Sequence, residues 1–225
     1  MNWNGKMKAV TFSYDDGVIF DRKLVEIFNK YGLKCTFNLN TGIQNEESRW
    51  VDSGTVIYRM NQADIGKLYD GHEIAAHALT HQSLTGLNEE EFAKEMETDI
   101  ANIERIYGVK PVGMAYPYGA YNDTVVEGLA KLGLKYARTV EATHDFDLQT
   151  DLLRFKATCH HGDDMLFDLA EQFLSAKPDK PMLFYVWGHS YEFERDGNWD
   201  RIEKLCSMIS GHDDIFYGTN KETLL

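Results

Sequence analysis

The chain has 225 residues, 43% of them hydrophobic and 26% charged, with a formal net charge of −13. That length and apolar content fit one folded catalytic-sized domain over residues 1–225 and exclude wholesale disorder. The acidic balance argues against nucleic acid or an anionic membrane as partner, because counterion release needs a clustered basic face.

No apolar run reaches the ~20 residues that a bilayer span requires. The start "MNWNGKMKAV" lacks the apolar core of a signal peptide, so the expectation is a cytoplasmic protein. Cys35, Cys159 and Cys206 are odd in number and widely spaced, as buried reduced thiols are, and fit neither a disulfide framework nor a zinc ribbon.

In chain order, "AVTFSYD" reads as a first strand. A helix over Asp21 to Tyr31 follows, with Leu24, Val25, Ile27 and Phe28 on one side and Gly32 as its stop. "KCTFNLN" is a second strand, Gly42 to Thr55 a long loop, Ala63 to Tyr69 a short helix, and "HEIAAHA" a third strand. The clearest helix begins after Asn88, where Glu91 completes a capping-box pair and Phe92, Met96, Ile100, Ile103 and Tyr107 keep a helical spacing. "PVGMAYP", a helix over Asn122 to Leu132, "KYARTV", "LLRFKATCH", a helix over Asp163 to Ser175, "PMLFYVWGH", a helix over Trp199 to Ile209 and "DIFYGTN" complete the order. Strands alternating with helices predict an α/β fold with a mostly parallel sheet and right-handed crossovers, and at this length a barrel.

Polar residues then fall at strand ends: Asp15 and Asp16, His77, Pro117 and Tyr118, His160 and His161, and His189. In α/β barrels these carboxyl ends converge on the rim that carries the chemistry. His77 and His81 in "HALTH" sit four residues apart, and with one aspartate they make a three-ligand site for a divalent ion that leaves room for water. One of Asp15 and Asp16 would hold the ion while the other serves as general base. His189 suits a proton donor to a leaving nitrogen, and a backbone N–H near Tyr118 suits an oxyanion. His72, His144, His160, His161 and His212 receive no role.

These residues resemble a known family, the polysaccharide deacetylases of the NodB-homology type, also called carbohydrate esterase family four. "TFSYDDG", "GHEIAAHALTH", "YPYG" and "YVWGHS" match its motifs in order over roughly Ala9 to Ser190. The resemblance implies a distorted (β/α)7 barrel and a divalent ion, zinc by default, with cobalt, manganese, iron or nickel also compatible. It implies Asp15 as general base, Asp16, His77 and His81 as metal ligands, Tyr118 as oxyanion donor through its backbone, and His189 as general acid. Tyr116, Pro117 and Trp187 are read as substrate-contacting residues.

The third motif departs from the family, whose arginine position is filled by Ala115. Arg138 or Arg154, each on a later strand, is the candidate to orient the catalytic aspartate instead. In the second motif Ala78 and Gln82 replace the usual residues, and the acidic partner of His189 could be Asp145, Asp147 or Glu192. The implied activity is removal of N-acetyl groups from small or oligomeric N-acetylglucosamine-containing saccharides, by hydrolysis of a non-peptide C–N bond. The alternatives are hydrolysis of a small cyclic amide or other non-sugar C–N bond, and a carbohydrate-binding relative without catalysis. The sequence leaves the oligomeric state open.

Overall fold

The computed structural model describes residues 3–45, 47–65 and 67–225. Strands β1 (Lys8–Asp15), β2 (Cys35–Leu39), β5 (Glu73–Ala76), β6 (Gly113–Ala115), β7 (Tyr136–Ala142) and β10 (Met182–Gly188) run parallel in one sheet. The sheet closes through the segment after β7. Its first half, β8 (Phe155–Ala157), pairs with β7, and its second half, β9 (Cys159–His160), pairs with β10. Counting β8 and β9 as one staggered strand gives a ring of β1, β2, β5, β6, β7, β8/β9 and β10, the (β/α)7 barrel implied by the motifs. Strand β11 (Ile215–Tyr217) pairs with the first half of β1.

Side-chain alternation along β1 sets what the barrel contains. Val10, Phe12 and Tyr14 pack outward against Leu24 and Phe28 of helix α1 (Asp21–Lys30) and against α5 (Leu166–Ser175) and α7 (Trp199–Ile209). Each fully buried side chain of this size contributes about 1.5–3 kcal/mol. Ala9, Thr11, Ser13 and Asp15 have the opposite parity and lie in the interior, where Asn220 and Asn38 bond Thr11 and Ser13. A strand that is apolar outside and small or polar inside thus delivers Asp15 to the top of the barrel.

Helix α3 (Glu89–Tyr107) carries the expected capping box between Asn88 and Glu91 and ends at Gly108 in the left-handed region, φ 71°. Helices α4 (Asp123–Lys131) and α6 (Ser190–Arg195) belong to the outer layer, whereas α8 (Asn220–Leu224) closes one end of the barrel, with Asn220 and Leu224 against its interior residues. No helix among the described residues is long and apolar enough to cross a membrane.

Three expectations change. Gly42 to Thr55 is more than a loop: β3 (Arg49–Asp52) and β4 (Thr55–Tyr58) form an antiparallel hairpin beside the barrel. Helix α5 begins at Leu166, not Asp163, because the Asp163 carboxylate accepts from the Met165 N–H and closes a turn ahead of the helix. The short helix expected over Ala63 to Tyr69 is α2 (Gln62–Ile65), followed by turns. Gly66 within it, Glu46 within the long loop and the first two residues of the chain lie outside the described residues.

Candidate active site

Asp16 follows β1, His77 follows β5, and His81 closes the loop after it. One ligand atom from each lies within 4.8 Å of the others. The Asp16 Oδ1 stands 3.9 Å from His77 Nε2 and 3.4 Å from His81 Nε2. His77 Nδ1 is 2.8 Å from the Ala115 carbonyl, which can only accept. The proton therefore sits on Nδ1, and the Nε2 lone pair faces Asp16. Burial, followed by the charge of neighbouring His77, lowers His81 to about 4, and burial also lowers His77. Both rings are neutral at pH 7. Burial would raise Asp16, but Arg59 and the surrounding histidines bring it to about 2. Two neutral imidazoles and one carboxylate, with lone pairs converging, form a donor set that fits a divalent ion.

The backbone here is strained and firmly held. Asp16 (φ 85°), Ala78 (φ 61°), His81 (φ 61°) and Tyr118 (φ 58°) occupy the left-handed region that side chains avoid. Two carboxylates from α3 fix the loop between the histidines. Asp99 accepts from the His77 N–H at 3.2 Å and from the Thr41 N–H and hydroxyl, and Glu95 accepts from the Thr80 N–H and hydroxyl. Asn40 donates to the carbonyls of His77 and Ala78. Arg59, from just beyond β4, bonds the Asp16 main-chain oxygen, its carboxylate and Asn40.

Asp15 lies behind this trio. Its Oδ1 accepts from Asn38 at 2.7 Å and its Oδ2 accepts from Arg138 Nη2. Burial would raise its pKa, but Arg138, His77 and His189 together hold it below the usual carboxylate range. Arg138 is paired with Ala115 across the β6–β7 ladder, so the guanidinium comes from the strand next to the one that carries the arginine in the family motif. Its charged end stacks over Trp187, 4.2 Å from the ring centroid. Arg154 does not take part, contrary to the other sequence-based alternative. It closes a 3-10 turn before β8 and pairs with Asp151 and Asp123 at the surface.

His189 follows β10. Its Nε2 is 3.9 Å from Asp15 Oδ2, and its Nδ1 is 3.3 Å from Glu192 Oε2. Of the three acids considered as its partner, Glu192 is the one in contact. Asp147 pairs with Lys180 instead, and Asp145 accepts from the Asp147 N–H. Burial would lower His189, but the Glu192 hydrogen bond, with the charges of Asp16, Glu192 and Asp15, puts it at about 9. His160 and His161, given no role from sequence, lie 3.0 and 3.1 Å from the same Glu192 oxygen.

These groups open into a cavity of about 550 Å³ walled by Ile43, Trp50, Arg59, Tyr118, Val140, Trp187 and Tyr191. A larger hollow, about 690 Å³, lies at the opposite ends of the strands around His72, Glu73 and Lys221, away from the rim that carries the aspartates and histidines. Tyr118 is 69% exposed and packs edge-on to His81, with ring centroids 4.7 Å apart. Tyr116 touches the cavity, but its ring is buried and its hydroxyl is bound to the Leu153 carbonyl. Pro117, expected to contact substrate, opens a 3-10 turn, is buried, and is not among the lining residues. Sequence reasoning missed Trp50 and Arg59, which arrive on or beside a hairpin read as loop, and Asn38, which carries no motif signal.

A polysaccharide deacetylase family model matches residues 3–137. A chitin deacetylase of Arthroderma benhamiae is 33% identical over 126 residues, covering 55% of this chain and 31% of that protein. Chitin deacetylase 1 of Cryptococcus neoformans var. grubii is 29% identical over 123 residues, 54% of this chain and 23% of its own length. The chain thus spans less than a third of these curated relatives. Among solved structures, a Mycobacterium smegmatis protein assigned to the polysaccharide deacetylases superposes with TM-score 0.70 at 20% identity, covering 98% of this chain and 90% of that one. A family 4 carbohydrate esterase from Streptomyces lividans, in complex with acetate, gives TM-score 0.57 at 16% identity over 95% of this chain and 93% of its own. With its motifs on one barrel rim and the family match running from before β1 to the start of β7, the chain belongs to the polysaccharide deacetylase family.

Proposed function

We propose that this protein is a metal-dependent hydrolase that removes N-acetyl groups from N-acetylglucosamine-containing saccharides. One observation carries the reading: Asp15 Oδ2 lies 3.9 Å from both His77 Nε2 and His189 Nε2, so a carboxylate stands between the trio that would hold an ion and the histidine that would serve as acid. Asp16, His77 and His81 would hold the ion. A divalent cation there, zinc by default, would supply positive charge that acidifies water and polarises an acetyl carbonyl.

The chain's own groups do the rest. Asp15, ionised and held by Arg138 and Asn38, takes the proton of the attacking water. His189, protonated and held by Glu192, gives its Nε2 proton to the departing nitrogen, so that acetate and a free amine result. The Tyr118 backbone N–H is the proposed donor to the oxyanion. Trp50, Trp187 and Tyr191 offer ring faces and edges to a sugar of one or a few units.

The test is acetate release from N-acetylated chito-oligosaccharides by protein loaded with zinc or cobalt, compared with Asp15→Asn at equal metal content. Turnover in the wild type and its loss in the variant are expected. Hydrolysis of cyclic amides with no acetate release from any saccharide would overturn the substrate reading.

A further inference from the structure

His160, His161 and Glu192 form a second cluster of two imidazoles and a carboxylate whose ligand atoms lie within 4.8 Å of one another. On distances alone it resembles the trio at Asp16. The protons tell the two apart. At His77 the buried ring nitrogen faces a carbonyl, which leaves the inward nitrogen bare. At His160 the second nitrogen, Nδ1, accepts the Gly162 backbone N–H at 3.0 Å. A neutral His160 must therefore carry its proton on Nε2, the atom 3.0 Å from Glu192 Oε2. Placing a cation on that nitrogen would push the proton to Nδ1, head-on against the Gly162 N–H.

His161 is set the same way. Its ring is stacked between Tyr14 and Phe193, and a side-chain carbon at Gly188 would fall 2.0 Å from its Nδ1, so Gly188 leaves the space it fills. Its Nε2 is 3.1 Å from Glu192 Oε2, which only accepts, and its Nδ1 is 3.2 Å from the Tyr14 hydroxyl. The chain of donors runs Tyr14 to His161 to Glu192, joined at the same oxygen by His160. The His189 backbone N–H, at 3.2 Å, and Nδ1 also meet that oxygen.

We propose that His160 and His161 are positioning residues that clamp Glu192 through two N–H donors, thereby fixing His189 as an Nδ1–H ring with Nε2 turned to Asp15, and that this cluster holds no metal ion. Its link to turnover rests on the deacetylase reading. Its proton arrangement does not.

The full chain labelled with ¹⁵N-histidine supplies the first test. Imidazole correlation spectra at pH 7 should show His160 and His161 as neutral Nε2–H tautomers. An Nδ1–H tautomer at either would overturn the proposal, whatever the enzyme's substrate. Zinc titration should load one ion per chain, lost in His77→Ala/His81→Ala and retained in His160→Phe/His161→Phe; a second ion lost in the phenylalanine pair would also overturn it. On an active deacetylase, the phenylalanine pair keeps ring packing without the donors and should lower kcat about 10- to 100-fold with KM unchanged. His160→Gln/His161→Gln, which can still donate, should recover most of it. An unchanged kcat in the phenylalanine pair would refute the positioning role.

Discussion

Arg138 sits beside Ala115 in the β6–β7 ladder and reaches across the barrel to the carboxylate of Asp15, 123 residues earlier in the chain. The pair is almost fully buried, so each charge depends on the other. Removing one partner leaves the other uncompensated in a low-dielectric interior, which typically costs about 3–5 kcal/mol. Arg138→Ala should lower unfolding free energy by that order in urea titrations, whereas Arg154→Ala, at a surface ion pair, should cost no more than about 1 kcal/mol. Equal losses in the two variants would contradict the assignment of Arg138 to Asp15.

The proposed metal site makes a thermodynamic prediction independent of any substrate. An ion that binds only the folded chain stabilises it by mass action. Zinc or cobalt should raise the melting temperature of the wild type in a saturable way and leave His77→Ala/His81→Ala unmoved. A shift of the same size in the double variant would place the ion elsewhere.

Much of this site could be read from the sequence because its residues end strands whose alternation is plain. β1 is apolar outward and small or polar inward up to Asp15, and "HALTH" follows the short strand β5 directly. Other parts depend on register and distance. Which arginine replaces the one absent at Ala115 follows only from the pairing of β6 with β7. Glu192 is the third residue of a six-residue helix capped by His189, and its carboxylate accepts the His189 N–H, one half of a capping box. The usual Ser, Thr, Asp or Asn signal at the cap is missing, so the pattern went unread. Trp50 lies in β3 and Arg59 just beyond β4, and the aromatic and β-branched residues Trp50, Val51, Val56, Ile57 and Tyr58 around the Ser53-Gly54 turn are a hairpin signal that the reading as a loop passes over.

The α3 carboxylates should govern metal affinity without touching the ion. Asp99 accepts three hydrogen bonds, from His77 N–H and from both donors of Thr41. Asp99→Ala leaves both Thr41 donors without their acceptor and the His77 N–H with its bond to the Leu39 carbonyl alone, and should cost about 2–4 kcal/mol of stability and about 10- to 100-fold in zinc affinity. Calorimetric titration at a temperature where the variant is folded measures the second effect. Wild-type affinity there would show that the loop holds its shape without α3.

Glu192 should set the basic limb of the pH–rate profile. His189 stands at about 9, above its ordinary value, because the Glu192 hydrogen bond and the nearby carboxylates outweigh burial. The acid form therefore persists as pH rises until that pKa is passed. Glu192→Gln keeps the shape and removes the charge, so the limb should move toward lower pH by about one unit or more. A bound cation would lower the limb in both proteins but leave the direction of the difference unchanged. A limb that stays in place would mean that His189 is not the group being titrated.

Asp21 gives the opposite kind of pH effect. It is fully buried at the start of α1, bonded to the Ser190 hydroxyl and to Tyr69 at 2.8 Å, and burial is the main cause that lifts its pKa to about 7. A carboxyl whose folded pKa is raised favours the native state below its unfolded value, near 4, and that advantage is lost as pH rises through about 7. Asp21→Asn retains an acceptor for Ser190 and never ionises. Its stability relative to the wild type should therefore increase from pH 4 to pH 7 and level off above, the change over that range being about 4 kcal/mol, roughly three pH units at ~1.4 kcal/mol each. Urea unfolding at pH 5, 6.5 and 8 reads this directly. A difference that does not change with pH would mean that Asp21 is ionised throughout and that its two hydroxyl partners suffice to hold the charge.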